Sequence, residues 1–413
     1  MAGHISAVLL CLPSLAASSM LRAPAAPAPA PAPTSSSSAA AAASLAWFAA
    51  SDTHLGHDPA PANGSAVVTS YTKNAQAIAE MLRLPSSGEP WPASLGGGAV
   101  AAPAMLTISG DLIDNGSGSG SEVNGCHQWA NFTALYGLDG TDGLLRGVRV
   151  YEGRGNHDGI NSTSPLPSDC ASVPARAVAA RNVLRQADPA FAIDAVSQPT
   201  GLHYSWTLPV SDACRVHFVH LNLFPGHQCG SPANPGREGP AGGSGGFPCT
   251  DSWTWPEDSL GFLEADLAAH AAAPGTWVVT IMHYGLDSWS QTWYNTDQTA
   301  EMFATLHKYS TLAAFVGHTH AAALYSHNGT AESGDFNDPR PGFISVVNAP
   351  ATQKEDGQHN PLPSEFMAVE VSVNATTGAG RFRVAQRVGQ AWGDVLGEKS
   401  FSGAGGARRR RRR

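Results

Sequence analysis

The sequence predicts an α/β domain. From residue 44 onward, short apolar runs of strand type alternate with helical patterns, and five of the runs end directly in residues that bind metals. Gly and Pro, at 44 and 30 residues, are above average but short of low-complexity disorder, so long loops are expected around a real core. In open α/β sheets, ligands sit beyond the carboxyl ends of the strands, so the five ends are expected to converge there.

The first run, Leu45–Ser51, leads into Asp52-Thr53-His54. Tyr71 to Leu84 places Ala75, Ile78, Met81 and Leu82 on one helical face, with Pro85 as its stop. The second run, Ala104–Ser109, opens into Gly110-Asp111-Leu112-Ile113-Asp114, and the third, Val148–Gly153, into Gly155-Asn156-His157-Asp158. A strand over Arg215–Leu223 carries His217 and His220 at odd spacing, hence on opposite faces. Pro256-Glu257-Asp258 opens a helix with a Leu260, Leu263, Leu267 stripe. The fourth run, Trp277–Met282, ends at His283. Asp297 is expected to cap a third helix carrying Met302 and Leu306, and the fifth run, Thr311–Val316, leads into Gly317-His318-Thr319-His320. Alternation through Met367, Val369, Val371 and Val373, followed by Arg381–Val384, reads as a C-terminal hairpin.

Four segments follow from composition. Residues 1–21 contain an apolar stretch, Ile5–Ala17, of signal-peptide type, too short to span a bilayer. Its basic n-region is nearly missing, which leaves an organelle-targeting segment as the alternative to secretion. Residues 22–43 are an Ala/Pro/Ser-rich linker, residues 44–400 the domain, and residues 401–413 a disordered tail ending in six arginines. No stretch qualifies as a transmembrane anchor. Setting the six arginines aside leaves 18 basic against 33 acidic residues, a charge of −15, which argues against nucleic acid as a partner. The tail itself suits anionic surfaces. Six glycosylation sequons, beginning at Asn63, Asn115, Asn131, Asn161, Asn328 and Asn374, exceed the roughly two or three of chance and favour a glycoprotein of the secretory route. Of six cysteines, Cys11 would leave with a signal peptide. Cys229 and Cys249 flank a Gly/Pro-rich loop and are the expected disulfide, and an odd thiol remains.

The motifs differ in specificity. A D-x-H triplet arises about once by chance in a chain of this length, whereas G-N-H-D arises in roughly one such chain in several hundred. Carboxylates, imidazoles and an amide oxygen, without thiolates, suit borderline divalent ions such as Mn, Fe, Zn or Co. Two such ions about 3.5 to 4 Å apart can share a hydroxide and clamp the attacking and leaving oxygens of a displacement at phosphorus. Their charge exceeds that of two aspartates and so attracts an anionic phosphate within an acidic body.

The ordered set Asp52-x-His54, Gly110-Asp111-x-x-Asp114, Gly155-Asn156-His157-Asp158, His283 and Gly317-His318-x-His320 resembles the calcineurin-like metallophosphoesterase superfamily, over about residues 45 to 325. The resemblance implies a four-layer αββα sandwich around two mixed sheets and hydrolase activity on phosphoric ester bonds. It implies one metal on Asp52, His54, Asp111 and His320 and a second on Asp111, Asn156, His283 and His318, with Asp111 bridging. It makes His157 the general acid and Asp114 the carboxylate that orients it. The second block lacks the Arg, and the third the Glu, of protein serine/threonine phosphatases. Purple acid phosphatases carry D-x-G and a Tyr ligand where this chain has His54 and Asp114. What remains resembles the broad group of phosphomonoesterases and phosphodiesterases and implies a metal-dependent phosphoesterase acting on small organic phosphate esters, with a phosphodiesterase or nuclease of the superfamily as the alternative. A non-catalytic binding module is the reading from another class. His57, Trp289, Trp293 and Tyr294 are candidate pocket residues, and His203, His227, His270, His307 and His327 are expected in loops or on the surface. Loops 116–130 and 225–255, rich in glycine, are expected to set substrate choice.

Overall fold

The computed structural model describes residues 43–56, 69–114, 125–159, 173–229, 231–232, 256–287, 290, 296–352, 362–374 and 379–402. The leader, the linker up to residue 42, His57, Trp289, Trp293, Tyr294 and the arginine run lie outside them, as do Asn63, Asn115, Asn161, Cys170, Cys249 and most of both glycine-rich loops, while Ala43, expected to end the linker, is the first residue of a strand.

Strands β1 (Ala43–Ala50), β2 (Met105–Ile108) and β3 (Arg149–Glu152) run parallel side by side. With β12 (Glu365–Val373), β13 (Ala379–Val388) and β14 (Ala391–Ser402) they form a six-stranded mixed sheet ordered β14-β13-β12-β1-β2-β3. The second sheet has eight strands. Its parallel centre is β6 (Cys214–His220), β7 (Thr276–Ile281), β8 (Thr311–Val316) and β11 (Ile344–Asn348). Antiparallel edges come from β4 (Ile193–Val196) and β5 (Tyr204–Ser211) on one side, and from β9 (Ala323–His327) and β10 (Glu332–Ser333) on the other. Among the described residues the helices are α1 (Ser70–Ser86), α2 (Gly125–Tyr136), α3 (Val173–Gln186), α4 (Ser259–His270) and α5 (Thr296–Leu306). None is long and apolar enough to cross a membrane.

Strand periodicity sorts the core. On β1, Trp47 and Ala49 face one way and Phe48 and Ala50 the other, as a two-residue repeat requires. Trp47 packs on Phe218, Phe315 and Phe382 at ring distances of 5.3, 5.9 and 6.3 Å, which joins strands of both sheets in one central cluster. Phe48 and Ala50 lie instead with Ile78 and Met81 of α1 and Phe132 and Leu135 of α2. Likewise Val279 and Ile281 of β7 join the central cluster, while Val278 packs with Leu260 and Leu263 of α4 and Met302 of α5. The two sheets therefore share one core, and helices cover an opposite face of each.

All five ligand-bearing runs are strands, each within a residue or two of its expected bounds. Other expectations need correction. Pro85 does not stop α1, which continues to Ser86, where the Ser86 and Ser87 hydroxyls donate to the Arg83 and Leu84 carbonyls. Leu82 is exposed, because the buried face turns through Ala77, Ile78, Met81 and Leu84. Asp258 precedes α4 in a left-handed conformation and makes no capping bond, and Asp297 falls inside the first turn of α5 rather than ahead of it. Residues 125–130 belong to α2, not to a loop. Strand β14 runs to Ser402, where Phe401 packs on Trp277 at 4.4 Å, so these residues belong to the sheet and not to a tail.

His220 ties the sheets together beneath their carboxyl ends. Its Nε2–H donates to the Ile108 carbonyl of β2 at 3.1 Å, and its Nδ1 accepts from the Asn222 amide at 3.2 Å. Burial holds this ring neutral and pushes its pKa down to about 4, well under the unfolded value near 6.5. Its contribution is fully present above pH 6.5 and is lost as pH falls towards 4, since only the unfolded chain takes up the proton in that window. Stability to urea should therefore fall on acidification from pH 6.5 to 4. The slope in a His220→Gln variant should be shallower by about 1.4 kcal/mol per pH unit; parallel curves would contradict this.

Candidate metal centre

The loops beyond the strand ends continue the pairing of the sheets, and this fixes where each motif residue stands. Asp52 N–H donates to Gly110 O at 2.9 Å, His54 N–H to Asp111 O at 3.0 Å, and Gly317 N–H to His283 O at 2.8 Å. Residues 348–352, which carry no motif, close the two sheets across the same end. Ala349 N–H donates to Val316 O of one sheet, while Ser51 N–H donates to Pro350 O and Thr352 N–H to Ser51 O of the other.

The convergence requires unusual backbone. Asp52, His54, Asp111, His318 and His320 all have positive φ, between 40° and 70°, half of the ten non-glycine residues that do so among those described. Such conformations cost of order 1–3 kcal/mol each and persist only where the surroundings impose them. The motif glycines serve close approach. A Cβ on Gly155 would lie 2.1 Å from Asp111 Oδ1, and one on Gly110 would lie 2.7 Å from the Gly155 backbone and from His283 Nδ1.

Seven side chains meet there. His54 Nε2 lies 3.1 Å from His320 Nε2, 3.7 Å from Asp52 Oδ1 and 3.6 Å from Asp111 Oδ2. His320 Nε2 is 3.3 Å from Asp52 Oδ1. On the other side, His283 Nε2 is 3.1 Å from Asp111 Oδ2 and 3.0 Å from Asn156 Oδ1, and His318 groups with the same two residues, Asp111 and His283. Three sets could each hold an ion, with donor atoms within 4.8 Å of one another: Asp52, His54 and His320; Asp111, His283 and His318; and His54, Asp111 and His157. One oxygen of the second set, Asp111 Oδ2, also approaches the first, at 3.6 Å from His54 Nε2 as against 3.1 Å from His283 Nε2. Asp52, His54, Asp111, His283 and His318 are buried, whereas His320, His157 and Asp114 are partly exposed and form the open side.

The donor set fits cations. Asp52 Oδ1 is buried with no hydrogen-bond donor, and the His54 and His320 Nε2 atoms stand 3.1 Å apart, a pair with room for one proton between two lone pairs. The electrostatics agree. Burial opposes charge on His54, but Asp114, Asp52 and Asp111 outweigh it and push its pKa up to about 10. His283 is raised by Asp111 against its burial, while burial and His283 push His318 down to about 3. Asp52 and Asp111, though buried, are held well below the usual carboxylate range by the histidines around them. The carboxylates thus recruit positive charge, which a bound cation would supply more directly than protons shared among rings.

His157 Nδ1 lies 2.5 Å from the Asp114 main-chain oxygen and 4.0 Å from its carboxylate, while its amide donates to Asp111 Oδ1 at 2.8 Å. Asp158, which closes the third motif, has a structural role. Its fully buried carboxylate accepts from the amides of Leu112 (2.9 and 3.1 Å), Ile113 (3.1 Å) and Gly155 (2.7 Å), pinning the second motif to the third. His203 and His327 are buried, not on the surface, and His217 and His220 are buried on opposite faces of β6. Asn222 was also missed. It accepts the Arg154 amide at 2.7 Å and donates to Leu202 O and His203 Nδ1 at 2.8 and 3.2 Å, supporting the third motif from below. No sequence pattern marks it; the structure sets it apart by its positive φ of 61°. Cys126 and Cys229 are each disulfide-bonded, the Cys249 half of the expected pair lies outside the described residues, and Cys214 is a buried free thiol.

No family model matches the sequence, and no curated protein matches it. Among solved structures, "GAP50 the anchor in the inner membrane complex of Plasmodium" is similar over 87% of this chain and 89% of that chain, at 10% identity and a TM-score of 0.46. A likeness that remote carries no argument about this chain.

Replacing Asp158 by Asn would put an NH₂ group against amides that need acceptors. Burial and the neighbouring Asp111 push the Asp158 carboxyl up to about 7, so at pH 8.5, where it is charged, the Asp158→Asn protein should unfold at lower urea, by about 2–3 kcal/mol, the scale of hydrogen bonds to a charged group. An unchanged midpoint would show that the carboxylate does not pin the loops.

Proposed function

We propose that the protein is a metal-dependent phosphoesterase of the calcineurin-like metallophosphoesterase type, hydrolysing small organic phosphate esters. The observation that carries this reading is the placement of Asp111 Oδ2 between His54 Nε2 and His283 Nε2, at 3.6 and 3.1 Å, as one carboxylate shared by two adjoining donor sets. Asp52, His54, Asp111 and His320 would hold one divalent ion, and Asp111, Asn156, His283 and His318 the other. The partition of the core, with helices against the outer face of each of two facing sheets, supports the four-layer arrangement that goes with this activity. Mn, Fe, Zn or Co suits the nitrogen and oxygen donors.

When bound, the ions supply positive charge for the phosphate and an activated water. The chain does the rest. Main-chain bonds hold the ligand loops so that their donors are in place before substrate arrives. The open side at His320 and His157 admits the ester. His157, engaged at Nδ1 by the Asp114 carbonyl, has Nε2 for the leaving group and delivers a proton to the departing oxygen. The disulfides at Cys126 and Cys229 and the described sequons at Asn131, Asn328 and Asn374 support passage through the secretory route.

His157→Ala should lower kcat on an alkyl phosphate by about 10²- to 10⁴-fold. It should lower it far less on a nitrophenyl phosphate, whose leaving group needs no proton. Equal losses on both esters, or none on either, would remove the acid role. Comparing the nitrophenyl monoester with the bis ester on the same sample separates a phosphatase from a diesterase or nuclease.

A further inference from the structure

We propose that Asp114 is a positioning residue for His54, its carboxylate setting the tautomer of that ring while its main-chain carbonyl sets that of His157. The inference deepens the dimetal reading and rests on it. The distances separate the two tasks. Asp114 Oδ1 is 3.3 Å from His54 Nδ1 but 4.0 Å from His157 Nδ1, and His157 Nδ1 is met by the Asp114 carbonyl at 2.5 Å. The carboxylate is therefore nearer the buried ring, and the half-exposed ring is served by backbone.

The placement is built into the fold. The Asp114 amide donates to Leu55 O at 3.2 Å and to Gln128 Oε1 of α2 at 3.1 Å, and Gln128 is itself buried, packed over Gly56 so closely that a Cβ there would lie 2.4 Å from its side chain. Residue 114 is thus anchored on both sides of the His54 loop. The two rings it serves meet edge to face, with centroids 4.7 Å apart. An imidazole that donates Nδ1–H to a carboxylate keeps its Nε2 lone pair for an ion and is the more basic ligand for it. His54 Nε2 is the nitrogen turned towards Asp52, Asp111 and His320. His157 differs: a carbonyl acceptor orients the ring without adding the charge of a carboxylate.

Two consequences follow from this division. A side-chain change at 114 acts first on the ion held by His54, and it leaves in place the carbonyl that orients His157. Outer-shell partners of this kind are worth about 10- to 100-fold in metal affinity.

The test is a calorimetric titration of the metal-free full chain with Zn²⁺, for wild type, Asp114→Asn and Asp114→Glu, with imidazole nitrogen NMR of the zinc-loaded wild type. One of two binding steps should weaken by about 10- to 100-fold in Asp114→Asn and recover at least in part in Asp114→Glu, with the other step nearly unchanged. The wild-type spectrum should show His54 protonated at Nδ1. Unchanged affinities in a folded Asp114→Asn protein, an equal loss at both steps, or a His54 proton on Nε2 would each overturn the proposal. The spectrum decides the matter even if the variants fail to fold. Because neither readout needs turnover, a protein that binds zinc this way yet hydrolyses no phosphate ester would sink the enzyme reading and leave this one standing.

Discussion

The carboxyl-end loops of two sheets bring two carboxylates, an amide oxygen and four imidazoles into mutual contact, mostly away from water, and the rest of the site's architecture answers that constraint. Unscreened lone pairs at 3 to 4 Å repel one another unless protons or cations lie between them. The histidines respond in opposite directions. His54 is drawn towards its charged form by three carboxylates, while His318, buried against His283, is driven towards neutrality. A pattern of this kind makes poor sense as packing alone. It is consistent with a site whose stable form carries cations, and in which metal uptake and proton release are linked.

Holding such a cluster together takes rigidity from outside it. Five of its residues stand in left-handed backbone, which the mild preference of Asp and His for that region would not sustain alone, and the surrounding bonds show what sustains it. Asp158 collects three amides from two loops, His220 joins the sheets a few residues below, and Asn222 braces the loop that carries Asn156 and His157. None of these residues is a candidate ligand. The separation of binding groups from bracing groups leaves the side at His157 and His320 open.

Much of this was legible in the sequence because the signal repeats. Five strand-like runs, each ending in residues of types that can bind metals, mark both the parallel strands and the end at which they meet, and a shared edge then brings together residues as distant as Asp52 and His320. The hairpin of β12 and β13 was legible from alternation, but β14 was not, since Gly393 and Gly397 interrupt its pattern and its side chains are largely half-exposed. Helices α2 and α3 follow glycine-rich or loop-like stretches that gave no helical start. The bracing residues were hidden for a different reason: a carboxylate that caps amides 45 residues away, or a histidine that bonds a carbonyl of the other sheet, has no local signature. Asp114 shows the limit most clearly. Its presence near His157 was expected from its motif, but the greater proximity of its carboxylate to His54 depends on a backbone turn that only the fold supplies.

The central claim is that Asp111 is shared by two ions. Metal content and anomalous scattering measured on one crystalline preparation, wild type beside Asp111→Asn, test it most directly. Two divalent ions per chain flanking Asp111 in the wild type, about 3.5 to 4 Å apart, with loss of at least one ion in the variant, are the result the account predicts. A wild-type site that stays empty at saturating metal, or that binds a single ion away from Asp111, would contradict it.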